Sequence, residues 1–272
     1  MGVLRKLNKI MTKRVLSAVI GAPLLLFLTW LGGWYLALLV VGLALLALRE
    51  FLRIGQLTSF GRRPIITIVY CCIWLLFFLC GQYDWLLPLA ALWMIVVFGW
   101  YALMYPNVTF NQAAFNFIAL FYPVAPFTFL YFLRGLQDGI YWCFYLFLLV
   151  WITDTGAFFI GNAWGKHKLA PRVSPNKSIE GSIGGLIFAL IFGIVFWWVT
   201  QEGTLIAIML LSILTSVVSQ IGDLFESSLK RMAGIKDSGK MIPGHGGILD
   251  RFDSFLFALH LVYFAIILGL VG

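Results

Sequence analysis

Charge is scarce in this chain of 272 residues. Only 11% of them are Asp, Glu, Lys or Arg, and the acids number 11. A soluble domain is about one-quarter charged, so a soluble globular protein is excluded. A disordered chain, which needs polarity and little apolar content, is excluded with it. Cysteine is sparse as well. Cys71, Cys72, Cys80 and Cys143 all sit in apolar runs, without the spacing of a metal site, and neighbours in sequence are poor disulfide partners. They read as apolar filler, and a disulfide scaffold is excluded. What is abundant is apolar: 62% of residues are hydrophobic, with 25 Phe and 11 Trp, and the mean hydropathy is +0.97. At roughly 20 residues per crossing, this length holds about eight to ten membrane-spanning helices.

Nine apolar runs are legible: 15–31, 34–48, 65–80, 85–104, 115–133, 140–160, 183–200, 204–222 and 254–271. They are continuous rather than alternating, which excludes a β-barrel. The second and third are short for a bilayer core of about 30 Å, so their ends are expected to extend into flanking polar residues. The expected fold is an all-α polytopic membrane protein with about nine transmembrane helices. The net charge of +8 is distributed by topology, so no nucleic-acid partner is expected. Lys and Arg collect in the basic N-terminal segment (Arg5, Lys6, Lys9, Lys13, Arg14), after the second run (Arg49, Arg53, Arg62, Arg63), after the sixth (Lys166, Lys168, Arg172, Lys177) and after the eighth (Lys230, Arg231, Lys236, Lys240, Arg251). With nine spans all of these share one side, and Arg134 alone lies on the other. The positive-inside rule then places the N-terminus in the cytoplasm and the C-terminus opposite. Leu4, Leu7, Ile10 and Met11 are spaced for a short helix on the membrane surface. Residues 1–135 read as about five transmembrane helices behind that segment. Residues 136–272 read as a catalytic bundle with cytoplasmic loops at 161–182 and 223–253.

The second of those loops holds ten charged residues of mixed sign. That density beside a membrane suits metal ions and phosphates: carboxylates hold Mg²⁺, and Lys and Arg neutralise phosphate oxygens. If the eighth helix continues past its apolar run, Asp223, Glu226, Ser227 and Lys230 share one face. Asp250 and Asp253, three apart before the ninth run, point the same way on a helix, with Arg251 turned aside. Two helix ends carrying paired acids can converge on one ion. The bland reading is a set of solvated helix ends with surface ion pairs. Between these ends, Gly244, Gly246 and Gly247 let backbone N–H groups approach an anion, with His245 as a candidate proton donor, ligand or hydrogen-bonding residue. His260 reads as a packed or hydrogen-bonded residue. Asp154 lies about 9 Å inside the end of the sixth run. A carboxylate facing lipid there costs about 3 kcal/mol, so it should face a polar cavity or a cation. Ser174, Asn176 and Lys177 follow in the next loop.

The stretch from Ser227 to Asp253, including Lys230-Arg231, Lys236-Asp237-Ser-Gly239 and Pro243-Gly-His245-Gly-Gly247-Ile-Leu-Asp250-Arg251-Phe-Asp253, resembles the phosphatidate cytidylyltransferase (CDP-diacylglycerol synthase) family. Ser174-Pro-Asn176-Lys177-Ser178-x-Glu180-Gly181 is similar to a second family segment, with Ser178 where Thr is common. Residues 150–272 carry the resemblance. It implies a bacterial inner-membrane enzyme converting CTP and phosphatidate to CDP-diacylglycerol and pyrophosphate with Mg²⁺. The family is polytopic, forms homodimers and uses a second, monovalent cation such as K⁺. By resemblance, Asp223 and Asp250 are the metal pair, with Asp253 close by.

Phosphatidate already carries an anionic nucleophile, so positioning and charge neutralisation should dominate catalysis. Asp223 and Asp250 are assigned to Mg²⁺, with Asp253 and Glu226 as further acids. Lys230, Arg231 and Arg251 are assigned to the triphosphate or lipid phosphate. Lys177, Lys236, His245, Gly246 and Gly247 are further phosphate candidates. Asp154, Ser174, Asn176, Ser227 and Asp237 support the site. A polar cavity open sideways to lipid is expected. Two rivals remain: an anion transporter, which would place its polar residues near mid-membrane in both halves of a repeat, and another lipid-phosphate transferase.

Overall fold

A computed structural model of the chain describes residues 19–58, 65–239, 241 and 246–271. The surface helix expected at the N-terminus and Arg5, Lys6, Lys9, Lys13, Arg14, Arg62, Arg63, Lys240 and His245 lie outside the described residues. The chain is an all-α polytopic membrane protein. Its helices are α1 (Val19–Leu31), α2 (Gly33–Leu57), α3 (Ile65–Leu79), α4 (Leu86–Met104), α5 (Phe110–Phe121), α6 (Ala125–Gly135), α7 (Gly139–Trp164), α8 (Ile179–Thr200), α9 (Leu205–Met232) and α10 (Leu249–Ile267). Among the described residues, six stretches are long and apolar enough to cross a membrane: α2, α4 with the 3₁₀ turn before it, α5 and α6 together, α7, α8 and α9. The second run extends as expected, to 25 residues. The third, α3, has 15 described residues and stops at Leu79 on its C-terminal side, while the residues before Ile65 lie outside the described ones. The fifth run is two helices rather than one, interrupted at Tyr122-Pro123-Val124, where proline cannot donate the next helical hydrogen bond.

Apolar side chains give helices no preference for one another inside lipid, so close approach and polar contacts hold the bundle. On α3, Thr67 donates to Asn116 Oδ1 of α5 at 2.8 Å, and Tyr70 donates to the Leu89 carbonyl of α4 at 2.5 Å. Arg134, at the end of α6, donates to the Thr29 and Trp30 carbonyls at 3.0 and 3.3 Å, capping the C-terminus of α1 with a cation. α7 and α8 meet through glycines. A Cβ on Gly184 would lie 2.5 Å from Ile160 Cβ, and one on Gly185 would lie 2.9 Å from the Thr153 carbonyl oxygen. Replacing Gly184 by Leu therefore forces the two helices apart. The expected cost is about 2 kcal/mol, read as a melting temperature in detergent lowered by about 4–8 °C. An unchanged melting temperature would show that this contact is slack.

α7, α8, α9 and α10 alternate in direction, so the end of α7, the start of α8, the end of α9 and the start of α10 share one end of the bundle. A two-stranded antiparallel hairpin, β1 (Lys168–Ala170) and β2 (Ser174–Ser178), sits there between α7 and α8. The sequence reading had only a loop in its place. Glu180 anchors the hairpin, accepting from the Lys166 and His167 backbone N–H groups and meeting His167 Nδ1 at 2.5 Å.

Candidate functional site

α9 carries a stripe of buried small polar residues, Ser212, Thr215, Ser216 and Ser219, that leads to Glu226, Ser227 and Lys230. The helix continues unbroken past its apolar run, so the shared face expected for Asp223, Glu226, Ser227 and Lys230 exists. Small residues admit the neighbouring helices: Gly193 of α8 packs on Ser212, and Gly222 on the Asp253 backbone of α10. Ser182 of α8 donates to Gln220 Oε1 at 2.5 Å, fixing α8 to α9 one turn before Asp223.

Two ion-paired groups result. The hairpin delivers Lys177, whose Nζ lies 2.5 Å from Asp223 Oδ2, and Ser227 donates to Asp223 Oδ1 at 3.3 Å. Deeper, Lys230 bridges Glu226 and Asp250. Its Nζ pairs with Glu226 Oε2 and lies 2.7 Å from Asp250 Oδ1. Glu226 is fully buried, and among the described residues its Oε1 has no hydrogen-bond partner. Asp250 Oδ2 accepts from the Ser238 N–H (2.9 Å), the Ser238 hydroxyl (3.0 Å) and the Gly247 N–H (2.7 Å). Asp250 lies in the first turn of α10, outside the six spans. Burial alone would raise its pKa, but Lys230, the Gly247 N–H and the Ser238 hydroxyl together hold it below the ordinary carboxylate value.

Asp154 does face a cavity. It lines two of them. One, of about 610 Å³, is the more polar and is lined by Asn162, Lys168, Asn176, Lys177, Ser182, Gln220 and Asp223 among others. The other, of about 460 Å³, lies between α1, α2, α7 and α10. Its lining is mostly apolar (Leu25, Leu39, Leu43, Phe147, Val150, Trp151, Phe255), and its polar groups include Asp154, Arg251 and Asp253. Asp154 is the one residue common to both linings.

The site residues expected from sequence are gathered unequally. Asp223, Glu226, Ser227, Lys230, Asp250, Lys177 and Asn176 come together, with Asp154 and Asp253 within electrostatic reach of Asp223. Arg231 is turned elsewhere: its Nε donates to the Val173 carbonyl at 3.1 Å, bracing the hairpin. Lys236 and Asp237 are exposed, and Ser174 is half-buried in β2. The glycine loop approaches carboxylates of the protein itself. Gly246 adopts φ 89°, and a Cβ there would meet Asp250 Oδ2 at 2.6 Å. Gly247 donates to the same oxygen. His260 Nδ1 contacts the Leu256 carbonyl oxygen at 2.8 Å, and its ring packs on Phe129, as a packed histidine does.

The residues fit Mg²⁺ by donor chemistry. Asp154, Asp223 and Asp253 are hard oxygen donors that repel one another, and a divalent cation is the group that offsets such repulsion. Among the described residues, no three His, Cys, Asp or Glu side chains stand already closed around a metal position. Lysine ammonium groups hold Asp223 and Asp250 instead.

Glu50 was missed from sequence. The second apolar run was ended at Leu48, yet Ala47, Phe51 and Ile54 are buried at helical spacing around Glu50, and that periodicity was the available signal. Ser238 was missed because a lone serine in a polar loop has none.

A bundle that gathers acids and lysines at one end, beside two cavities that share Asp154, defines an integral membrane enzyme. The signature of the Cytidylyltransferase family matches residues 12–268. The phosphatidate cytidylyltransferase of Staphylococcus haemolyticus (strain JCSC1435) is 39% identical over 257 residues, 93% of this chain and 97% of its own length. That of Bacillus subtilis (strain 168) is 36% identical over 267 residues, 95% and 98% of the two chains. That of Staphylococcus aureus (strain COL) is 38% identical over 255 residues, 93% and 97%. The chain belongs to the cytidylyltransferase family and is a nucleotidyltransferase.

Proposed function

We propose that the chain transfers CMP from CTP to phosphatidate, giving CDP-diacylglycerol and pyrophosphate, in an Mg²⁺-dependent reaction at the cytoplasmic face of a bacterial inner membrane. The observation that carries this reading is that the two cavities share Asp154 in their linings. A nucleotide triphosphate suits the polar cavity, with Lys177 for its phosphates. Acyl chains suit the apolar one, with Arg251 for the lipid phosphate. The names of the relatives support the same pair of substrates.

A phosphate oxygen of phosphatidate attacks the α-phosphorus of CTP. The bond from that phosphorus to the α–β bridging oxygen breaks, and pyrophosphate leaves with the electron pair. The nucleophile is already an anion, so no side chain needs to remove a proton. Two anions must be brought together, and Lys177, Lys230 and Arg251 offset their repulsion and hold them in line. Asp223 and Asp253, with Asp154 beside them, would hold Mg²⁺, which supplies further charge neutralisation to the phosphate oxygens when bound, and Asp250 would join them on release from Lys230. Glu226 holds Lys230 in place. A second, monovalent cation such as K⁺ and a homodimeric state complete the proposal on resemblance alone. A topology of nine crossings, with α5 and α6 counted as one, the N-terminus cytoplasmic and the C-terminus opposite, rests instead on the distribution of Lys and Arg.

The lipid acceptor tests this reading against another lipid-phosphate transferase. Purified protein in detergent micelles is given labelled CTP and Mg²⁺ with phosphatidate, diacylglycerol or a polyprenyl phosphate. Lipid-extractable label should form with phosphatidate only. Label that forms with the polyprenyl phosphate and not with phosphatidate would overturn the assignment.

A further inference from the structure

The site draws on a residue far from it in sequence. Glu50, near the end of α2, is buried. Its Oε2 accepts from the Ser238 hydroxyl at 3.0 Å and from the Leu249 N–H at 2.9 Å, so one carboxylate ties together both flanks of the segment leading to Asp250. Among the described residues, its other oxygen has no hydrogen-bond partner. The backbone is shaped around it. A Cβ on Gly239 would strike Glu50 Oε1, and one on Gly247 would strike Oε2. Ser238 stands between two carboxylates, with its hydroxyl 3.0 Å from both Glu50 Oε2 and Asp250 Oδ2 and its N–H on Asp250. A hydroxyl has one proton, so it serves one acceptor at a time.

We propose that Glu50 is a positioning residue for the nucleotidyl transfer: by accepting from Ser238 and Leu249 it sets the orientation of Asp250, and thereby of Lys230. This rests on the assignment of Asp250 to the reaction site. α2 is thus more than a membrane anchor, because its Glu50 accepts from Ser238 and from Leu249, on either side of the glycine-rich stretch. The hydrogen bonds, not the charge, carry the effect. A glutamine can keep its carbonyl oxygen at the Oε2 position and place its amide where Oε1 has no partner among the described residues.

The test compares Glu50→Ala, Glu50→Gln and Ser238→Ala with the unaltered enzyme, reading kcat, the KM for CTP and phosphatidate, and the melting temperature in detergent. The unaltered enzyme must form CDP-diacylglycerol, and its failure to do so would overturn the functional reading rather than the role of Glu50. Glu50→Ala is expected to lower kcat by about 100-fold, with both KM values within about threefold, and Glu50→Gln to restore kcat to within about fivefold of the unaltered enzyme. Ser238→Ala, which removes one hydroxyl from the core, is expected to lower kcat by about tenfold with little change in melting temperature. It keeps the proposal testable if Glu50→Ala does not fold. Full kcat in Glu50→Ala or in Ser238→Ala would overturn the proposal. So would a loss in Glu50→Gln as large as that in Glu50→Ala, since charge rather than hydrogen bonding would then be at work.

Discussion

Replacing Asp250 by Asn is expected to lower CDP-diacylglycerol formation by roughly 1000-fold in purified protein. The change removes one charge and keeps the shape, but the site has no place for an amide nitrogen. Oδ2 collects three donors, from Ser238 and Gly247, and Oδ1 receives the Lys230 ammonium. Whichever way the amide is turned, its NH₂ faces a donor. One hydrogen bond becomes a repulsion, and Lys230 loses half of its compensation. The accompanying loss of stability is about 1–3 kcal/mol, so the protein should still purify as a folded species. A kcat within about tenfold of the unaltered enzyme, at saturating Mg²⁺ and CTP, would remove Asp250 from the reaction.

Lys230→Met is the second change with a large expected effect, and it separates stability from chemistry. Lys230 lies between Glu226, whose side chain is 0% exposed, and Asp250, at 6%. Removing the ammonium leaves two buried carboxylates facing each other across a methionine, a change that costs about 3–5 kcal/mol. Turnover should fall at least 100-fold. Adding Glu226→Gln removes one uncompensated charge, and part of the lost melting temperature should return. Activity should not return, because the cation proposed to offset the substrate phosphates is still missing. Recovery of activity along with stability would make Lys230 a structural residue only.

Much of this was legible in the sequence, for identifiable reasons. Continuous apolar runs announce membrane helices because lipid offers backbone groups no partners, and every run of the reading contains a helix. The face Asp223–Glu226–Ser227–Lys230 was legible because helical spacing is fixed, as was the pair Asp250 and Asp253. Asp154 was legible because a carboxylate inside an apolar run needs a polar surrounding, and it has two cavities beside it. What stayed hidden depends on contacts between distant elements. Lys177 was expected to meet a phosphate, but only the hairpin shows that it reaches Asp223. Arg231 looked equivalent to Lys230, and one step along the helix turns it to the hairpin instead. The glycines were rightly read as allowing close approach, but what approaches Gly246 and Gly247 is carboxylate from Asp250 and Glu50. Glu50 itself was hidden because hydropathy falls at Arg49-Glu50 while the helix continues. In the fifth run, hydropathy carried the reading across Pro123 as though the helix did not stop.

The central claim is that the two cavities bring a nucleotide α-phosphorus and a lipid phosphate together at one acid- and lysine-lined point. The most direct measurement runs the purified enzyme in phosphatidate micelles with CTP labelled at either the α- or the γ-phosphate, with and without EDTA. The account predicts that α-label enters the lipid phase in step with phosphatidate consumed, that γ-label leaves as pyrophosphate, and that EDTA stops both. Transfer of γ-label to the lipid, or α-label in the lipid at an undiminished rate under excess EDTA, would contradict it.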